Sequence, residues 1–424
     1  MTDTAVVTVF LRHRGEVLLL RRSDEVGSYP GRWGAVAGHV EDDDPAATAR
    51  AEIEEETGLT ERDVREVRAG PAFAVEDEER GTRWTVHPFL FDAETRDVSP
   101  NWETAATEWA SPTVLLRRET VPDLWTSYRR VAPSIVEIRT DTAHGSAYLS
   151  LRALETLRDR AALLATTETP DIEDGAARLR DTAQRLLAAR PSMAALANRL
   201  HRVMHETGPE RTPATVEAAA HAAIGRALDA DAAAARRAAE RIAGRRVLTL
   251  SRSGTVLRAL LAADPAPEVL LAASHPGGEG VGVAETLAAA GRDVSLLPDA
   301  AVAAAVAERT PDAVLVGADT ILPSGAVVNK VGTRGAALAA RHADVPVYAA
   351  AAADKIAVDA TAPAEEADPK AVYDGPADVG VWAPRFDTTP PGHMTDVLTD
   401  RGALAPDAIG AVADELKALR DWST

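Results

Sequence analysis

Glu52, Glu55 and Glu56 stand at i, i+3 and i+4 in the stretch GHVEDDDPAATARAEIEEETGL, which runs from residue 38 to residue 59. On a helix the three carboxylates share one face. Carboxylates that close repel unless a positive charge sits among them. A hard divalent cation meets that need, because it takes oxygen ligands and keeps positions open for a substrate phosphate; Mg2+ or Mn2+ is the expected cofactor. A second constellation lies later in the chain. Ser251, Ser253 and Gly254 follow the apolar run 247–250, Gly317 and Asp319 follow the run 313–316, and Asn329, Lys330, Gly332 and Thr333 come soon after. Backbone donors near Gly254 and after Gly332, with the Lys330 ammonium, could cradle a phosphate. Asp319 could take a proton from a sugar hydroxyl or orient it.

These groups need elements to hold them. The acidic stretch reads as a helix with Asp44 as its cap, Pro45 in its first turn and Gly58 at its end. Strands are expected over 5–11 and 16–20, around the Arg14-Gly15 turn, and over 84–91, with a helix near 122–131 and a connector over 133–142. From 146 to 243 the apolar spacing is helical, broken at Pro170, Pro191 and Gly208-Pro209. From Arg246 onward, apolar strands at 247–250, 269–272, 294–297, 313–316 and 345–348 alternate with helices at 256–262, 283–290, 300–307 and 335–341. That succession predicts a doubly wound parallel sheet, whose ligands bind beyond the carboxyl ends of its strands. Three domains are expected: 1–135, a helical region over 140–245, and 246–424.

Composition narrows the function classes. The chain has 424 residues, 46% of them apolar and 4% aromatic, and a formal charge of −19. That charge argues against a surface for direct nucleic-acid binding. Only Lys330, Lys355, Lys370 and Lys417 are lysines. Dense carboxylates with scarce lysine suit a salt-loving cell, where ions screen their repulsion; a GC-rich genome would explain the arginine and alanine but not the charge. No cysteine is present, so disulfides, thiolate metal sites and a thiol nucleophile are excluded. No run of 18 or more apolar residues exists, so no membrane span is expected. The start Met1-Thr2-Asp3-Thr4 shows no secretory leader, and a cytoplasmic location is the expectation.

The acidic stretch resembles the Nudix box, Gx5Ex7REUxEExGU with U apolar. Gly38 matches the opening glycine and residues 52–59 match the closing EUxEExGU. The flanks agree, with VLLLRR at 17–22, PGRW at 30–33 and AGHVE at 37–41. The resemblance covers roughly residues 4–130. It implies an α/β/α sandwich that hydrolyses a nucleoside diphosphate linked to another moiety, with the cation held by Glu52, Glu55 and Glu56. The stretch between Gly38 and Glu52 is one residue short, and an Asp (Asp43 or Asp44) replaces the first Glu. Ala51 stands where the box has arginine, and Arg50 points about 100° away around the helix.

Residues 140–420 resemble the family that unites initiation factor 2B alpha, beta and delta subunits with methylthioribose-1-phosphate and ribose-1,5-bisphosphate isomerases. The match rests on GAD at 317–319 and NKVGT at 329–333, with FDTTP at 386–390 and TDRG at 399–402. It implies a Rossmann-like domain that binds a sugar or nucleotide phosphate, self-association as a homodimer or higher oligomer, and contact with translation factor 2. The isomerases pair a Cys with an Asp. Asp319 matches the Asp, but Ser251 stands at the Cys position, and His275 replaces the phosphate-gripping Arg. A hydroxyl is far less acidic than a thiol, so the leading expectation is a Nudix-type hydrolase fused to a phosphate-ligand module. A non-catalytic regulatory subunit and a ribose-1,5-bisphosphate isomerase-like enzyme are the alternatives.

Overall fold

The structure, a computed structural model, describes residues 2–41, 43–78, 80–166 and 172–423; Pro170, where a helix break is expected, lies outside them. The chain gathers into two compact units. One comprises residues 1–137, 154–182 and 210–225, and the other comprises 138–153, 183–209 and 226–424.

In the first unit the strands are β1 (Thr2–His13), β2 (Glu16–Arg22), β3 (Trp33–Gly34) and β4 (Val36–His39), followed by helix α1 (Pro45–Thr57). Then come β5 (Val64–Ala69), β6 (Phe73–Asp77), β7 (Thr82–Ala93), β8 (Thr104–Ala110) and α2 (Leu124–Val131). Among the described residues these strands form an eight-stranded mixed sheet whose main path runs β3-β2-β1-β7-β5. Side chains alternate across it with the strand period. Val7, Val9, Leu11, Leu18 and Leu20 face Ala49 and Ile53 of α1. Phe10, Val17 and Leu19 face Leu124, Tyr128 and Val131 of α2. Helices on both faces give the expected α/β/α sandwich.

The segment read as a connector contains a short helix, α3 (Ile135–Thr140), opened where Ser134 N–H donates to Glu137 and Glu137 N–H to Ser134 Oγ. That reciprocal cap starts a helix that apolar spacing alone does not reveal. Four longer helices follow: α4 (Ser146–Thr166), α5 (Ile172–Ala189), α6 (Ala194–Glu206) and α7 (Pro213–Ile242). Residues 154–166 of α4, 172–182 of α5 and 213–225 of α7 belong to the first unit. There the Arg14-Gly15 hairpin is seated in a buried polar knot. The fully buried Arg158 donates to the Gly15 carbonyl at 2.7 Å and to Asp159 at 2.8 Å. Tyr128 Oη donates to Asp159 at 2.9 Å, and Arg12 pairs with buried Glu155 at 3.3 Å. A Cβ on Gly15 would sit 2.7 Å from an Ile224 methyl, so only glycine fits there.

The second unit is built on β9 (Arg246–Leu250), α8 (Gly254–Ala262), β10 (Glu268–Ala272), α9 (Glu279–Ala289), β11 (Val294–Leu297), α10 (Val302–Arg309) and β12 (Ala313–Val316). It continues through β13 (Thr320–Ile321), β14 (Val327–Lys330), α11 (Thr333–His342), β15 (Val347–Ala350), β16 (Phe386–Thr389), β17 (Asp396–Thr399), β18 (Gly402–Leu404) and α12 (Ile409–Lys417). Among the described residues a seven-stranded sheet runs β11-β10-β9-β12-β15-β17-β18, parallel except for β18. Helices α7, α8 and α9 cover one face through Ile242, Leu260 and Leu287. Helices α10, α11 and α12 cover the other through Val306, Ala337 and Val412. The strand order reverses between β9 and β12, which is the switch point where such sheets bind ligands. A small antiparallel sheet, β13-β14-β16, stands beside it. The strand read at 345–348 begins at Val347, because Pro346 has no N–H to give a ladder.

His201 on α6 is buried, and its Nδ1 accepts the Trp422 indole N–H at 2.9 Å. Burial, with the Arg420 charge, depresses its pKa to about 4. The folded state then binds fewer protons than the unfolded chain between pH 4 and about 6.5. Stability is full above about 6.5 and is lost as pH falls toward 4. Equilibrium unfolding is expected to lose about 3 kcal/mol over that window, the worth of a shift of this size, and His201→Phe to flatten that slope. No helix among the described residues is long and apolar enough to cross a membrane.

Candidate functional site

The acidic helix is capped as its sequence requires. Asp44 Oδ1 accepts from the N–H groups of Ala46 and Ala47, both at 3.0 Å, and Gly58 closes the end in the left-handed conformation at φ 71°. Ala49 and Ile53 anchor one side in the core, which turns Glu52 and Glu55 toward a cavity of about 770 Å³. Glu103, from the segment before β8, lines the same cavity, with Tyr29, Trp84 and Trp102 among its walls and Arg22 and Arg80 at its edge.

The three helix carboxylates occupy different settings. Glu55 is exposed, Glu52 is half-buried, and Glu56 is 5% exposed with Oε1 accepting the Ala37 N–H at 3.3 Å. Burial, then the charges of Glu55, Glu103 and Glu41, pushes Glu52 up to about 7. Burial pushes Glu56 up to about 8; the Ala37 N–H opposes this, and Glu52 and Glu103 add to it. Arg50 cannot relieve that charge, because it pairs with Glu66 at 2.6 Å and lies over the Phe91 ring. The guanidinium whose field favours ionised Glu56 is Arg22, on β2, held by Ser28 through an Nε–H···O bond of 2.8 Å. Glu103 and Arg22 were not legible as site residues, because neither belongs to the acidic stretch.

Gly38, on β4 opposite Val7, shows why glycine opens that stretch: a Cβ there would fall inside the Glu52 carboxylate. Gly38→Ala is therefore expected to swing Glu52 out of place and weaken Mn2+ binding roughly 10–100-fold, the usual effect of disturbing a ligand's support. Calorimetry on a variant with unchanged circular dichroism checks this. Among the described residues, no three His, Asp or Glu side chains converge on one point as a finished cation site. The donor chemistry nevertheless fits a hard cation: oxygen ligands only, in a partly desolvated cleft where two carboxylates are costly to ionise without a counter-charge.

The second constellation gathers at the switch point of the parallel sheet. Ser251 follows β9 at φ 63°, and its N–H donates to Ser274 Oγ at 2.7 Å. Ser253 caps α8, whose first residue is Gly254. Gly317 follows β12, and a Cβ on it would meet Ser253 Oγ at 2.6 Å, so the two strand ends touch only because residue 317 is glycine. Asp319 comes next, and burial raises its pKa against the field of Lys355. Lys355 is 6% exposed, and its ammonium donates to the Ala318 carbonyl at 2.6 Å. Burial lowers its pKa, opposed by Asp319 and Asp231. No motif in the sequence marks Lys355 as a site residue; its charge acts on Asp319 from the turn after β15.

The other cradle residues are committed to partners within the chain. Asn329 Nδ2 donates to Thr333 Oγ1 at 2.9 Å, and Thr333 Oγ1 donates to the Lys330 carbonyl at 2.7 Å. Lys330 Nζ pairs with Glu279 at 2.6 Å. Gly332, at φ 105°, donates its N–H to Asp387 at 2.8 Å. His275, at the position of the expected arginine, is exposed and lies 3.3 Å from Asp299.

Comparison with known proteins matches both halves. The NUDIX domain model covers residues 1–131, and the initiation factor 2 subunit family model covers residues 142–406. The ribose 1,5-bisphosphate isomerase of Haloferax volcanii is 31% identical over 307 residues, covering 68% of this chain and 94% of that protein. The methylthioribose-1-phosphate isomerase of Gemmatimonas aurantiaca is 35% identical over 54% of this chain and 72% of its own length. That of Nematostella vectensis is 35% identical, but the match spans 38% of its length. Among solved structures, translation initiation factor eIF-2B of Pyrococcus horikoshii aligns with a TM-score of 0.53 at 26% identity, over 64% of this chain and 95% of that one. The 5-methylthioribose 1-phosphate isomerase of the same organism, at 22% identity and a TM-score of 0.54, covers 74% of this chain and 89% of its own and shares the fold. The chain belongs to the initiation factor 2 subunit family and carries a NUDIX domain ahead of that module.

Proposed function

We propose that the N-terminal module is a hydrolase of a phosphoanhydride in a nucleoside diphosphate derivative, and that the second module binds a phosphorylated sugar. The observation that carries the first part is the convergence of Glu52, Glu55 and Glu103 on one cavity with aromatic walls. A divalent cation held by Glu52, Glu55 and Glu56 would screen the phosphates and lower the pKa of an attacking water. Arg22 and Arg80 supply guanidinium donors for the diphosphate oxygens, a pairing suited to phosphate. Trp84 and Trp102 line the same cavity and offer indole faces on which a base can stack. Glu56, buried and bonded to the Ala37 N–H, fixes where the helix lies against β4.

The second module is read as a sugar-phosphate site because its strand ends meet at the switch point, and because the ribose 1,5-bisphosphate isomerase of Haloferax volcanii matches over 94% of its own length. A second reading, isomerase chemistry, is favoured by the half-buried Asp319 in the field of the buried Lys355. An acid and a base whose burial drives both toward neutrality can pass protons between neighbouring sugar carbons.

The test uses the full chain in molar salt with Mg2+ or Mn2+ and a panel of ADP-ribose, nucleotide sugars and dinucleoside polyphosphates. Phosphorus NMR is expected to show metal-dependent release of a nucleoside monophosphate from at least one of them. A panel left intact removes the hydrolase reading. Conversion of ribose 1,5-bisphosphate to its ribulose isomer would establish the second reading.

A further inference from the structure

The anion cradle around Lys330 is filled by carboxylates of the chain itself. Lys330 is 7% exposed at the end of β14, and its ammonium donates to Glu279 Oε1 at 2.6 Å. At the start of α11 the N–H groups of Gly332 and Arg334 donate to Asp387 at 2.8 and 3.1 Å. These are the donors a phosphate would use.

Glu279 is held there by backbone shape. It opens α9 directly after Gly277 and Gly278, and a Cβ on Gly277 would collide with its carboxylate. A Cβ on Gly280 would run into the Ala272 carbonyl, so glycine also lets α9 approach β10 closely enough to deliver the carboxylate. Its second oxygen, Oε2, is buried and has no hydrogen-bond partner. A buried acceptor left unpaired is costly, and a ligand hydroxyl would satisfy it. A phosphate arriving at Lys330 meets the reverse situation, because it must share one ammonium with an anion already in place.

We propose that Glu279 is the specificity-determining residue of the second module: it holds Lys330 as an internal counter-ion, so that a phosphate dianion engages the ammonium only by displacing it, while a sugar hydroxyl is accepted by Oε2. The inference rests on the sugar-phosphate reading of this module. It predicts that the site discriminates against a bare phosphate and favours a ligand that brings a hydroxyl to this position.

Calorimetry on the full chain in molar salt tests this with inorganic phosphate, ribose and ribose 5-phosphate as probes. Glu279→Gln keeps the side-chain shape and removes its charge. It is expected to tighten inorganic phosphate binding roughly tenfold or more, a change of at least about 1.4 kcal/mol. Glu279→Ala is expected to show a similar gain for phosphate and to weaken ribose. Adding Lys330→Met to Glu279→Gln is expected to abolish the gain. Unchanged or weaker phosphate binding in both Glu279 variants overturns the proposal, even where all variants bind ribose 5-phosphate. Failure of the wild-type chain and of every variant to bind ribose 5-phosphate removes the sugar-phosphate reading itself, and the proposal with it.

Discussion

Glu52→Gln in the full chain is expected to slow metal-dependent phosphoanhydride hydrolysis by roughly 10²–10³-fold, the several kcal/mol that a positioned cation supplies to a transition state. Glutamine keeps the shape that Gly38 accommodates and withdraws the charge. The variant should fold as the wild type does, because burial and the charges of Glu55, Glu103 and Glu41 already make an ionised Glu52 costly. Glu54→Gln is the matched control. Glu54 lies on the other side of the helix, against a hollow lined by Arg50 and Glu66, and its loss should leave the rate unchanged. Phosphorus NMR time courses at saturating Mn2+ measure both. A Glu52→Gln rate equal to the wild type would mean that the cation, if one is used, is held elsewhere.

The second large effect concerns stability. Arg158→Met is expected to destabilise the first unit by about 3–5 kcal/mol, as removal of one partner from a buried charge network does. The substitution leaves the buried Glu155 and the partly buried Asp159, both raised by desolvation, with less counter-charge and strips the Gly15 carbonyl of its donor. Denaturant unfolding at fixed salt checks the magnitude. Replacing Arg158 and Asp159 together by apolar residues of similar volume is expected to recover much of the loss, because the desolvation cost of the pair disappears with the pair. If Arg158→Met unfolds at the wild-type midpoint, the knot does not seat the hairpin.

Local chemistry was readable wherever it repeats along the chain. The Asp44 cap, the Gly58 stop and the i, i+3, i+4 carboxylates were visible because a helix converts spacing directly into a face. The apolar runs that became β9, β10 and β12 were visible because strands buried on both faces must be continuously hydrophobic. Short edge strands such as β6 and β16 were not, since their residues are half-exposed and carry no alternation strong enough to mark them. The helices over 146–243 were expected from alanine content and leucine spacing. That residues 154–166 and 213–225 gather with the N-terminal sandwich was not, because which face a helix buries against depends on partners distant in the chain.

The residue types alone determined that an acidic helix and a glycine-punctuated strand-end motif exist, because both are written in spacings of a few positions that backbone geometry turns directly into proximity. Tertiary structure decided how those groups are charged and what they touch. Glu103 and Arg22 come to the acidic helix from separate strand ends, Lys355 comes to Asp319 from the turn after β15, and Glu279 reaches Lys330 at the end of β14 from the start of α9. Electrostatic fields and desolvation act through space rather than along the chain, so groups 36 and 51 positions apart, Asp319–Lys355 and Glu279–Lys330, set each other's chemistry only once the fold has brought them together.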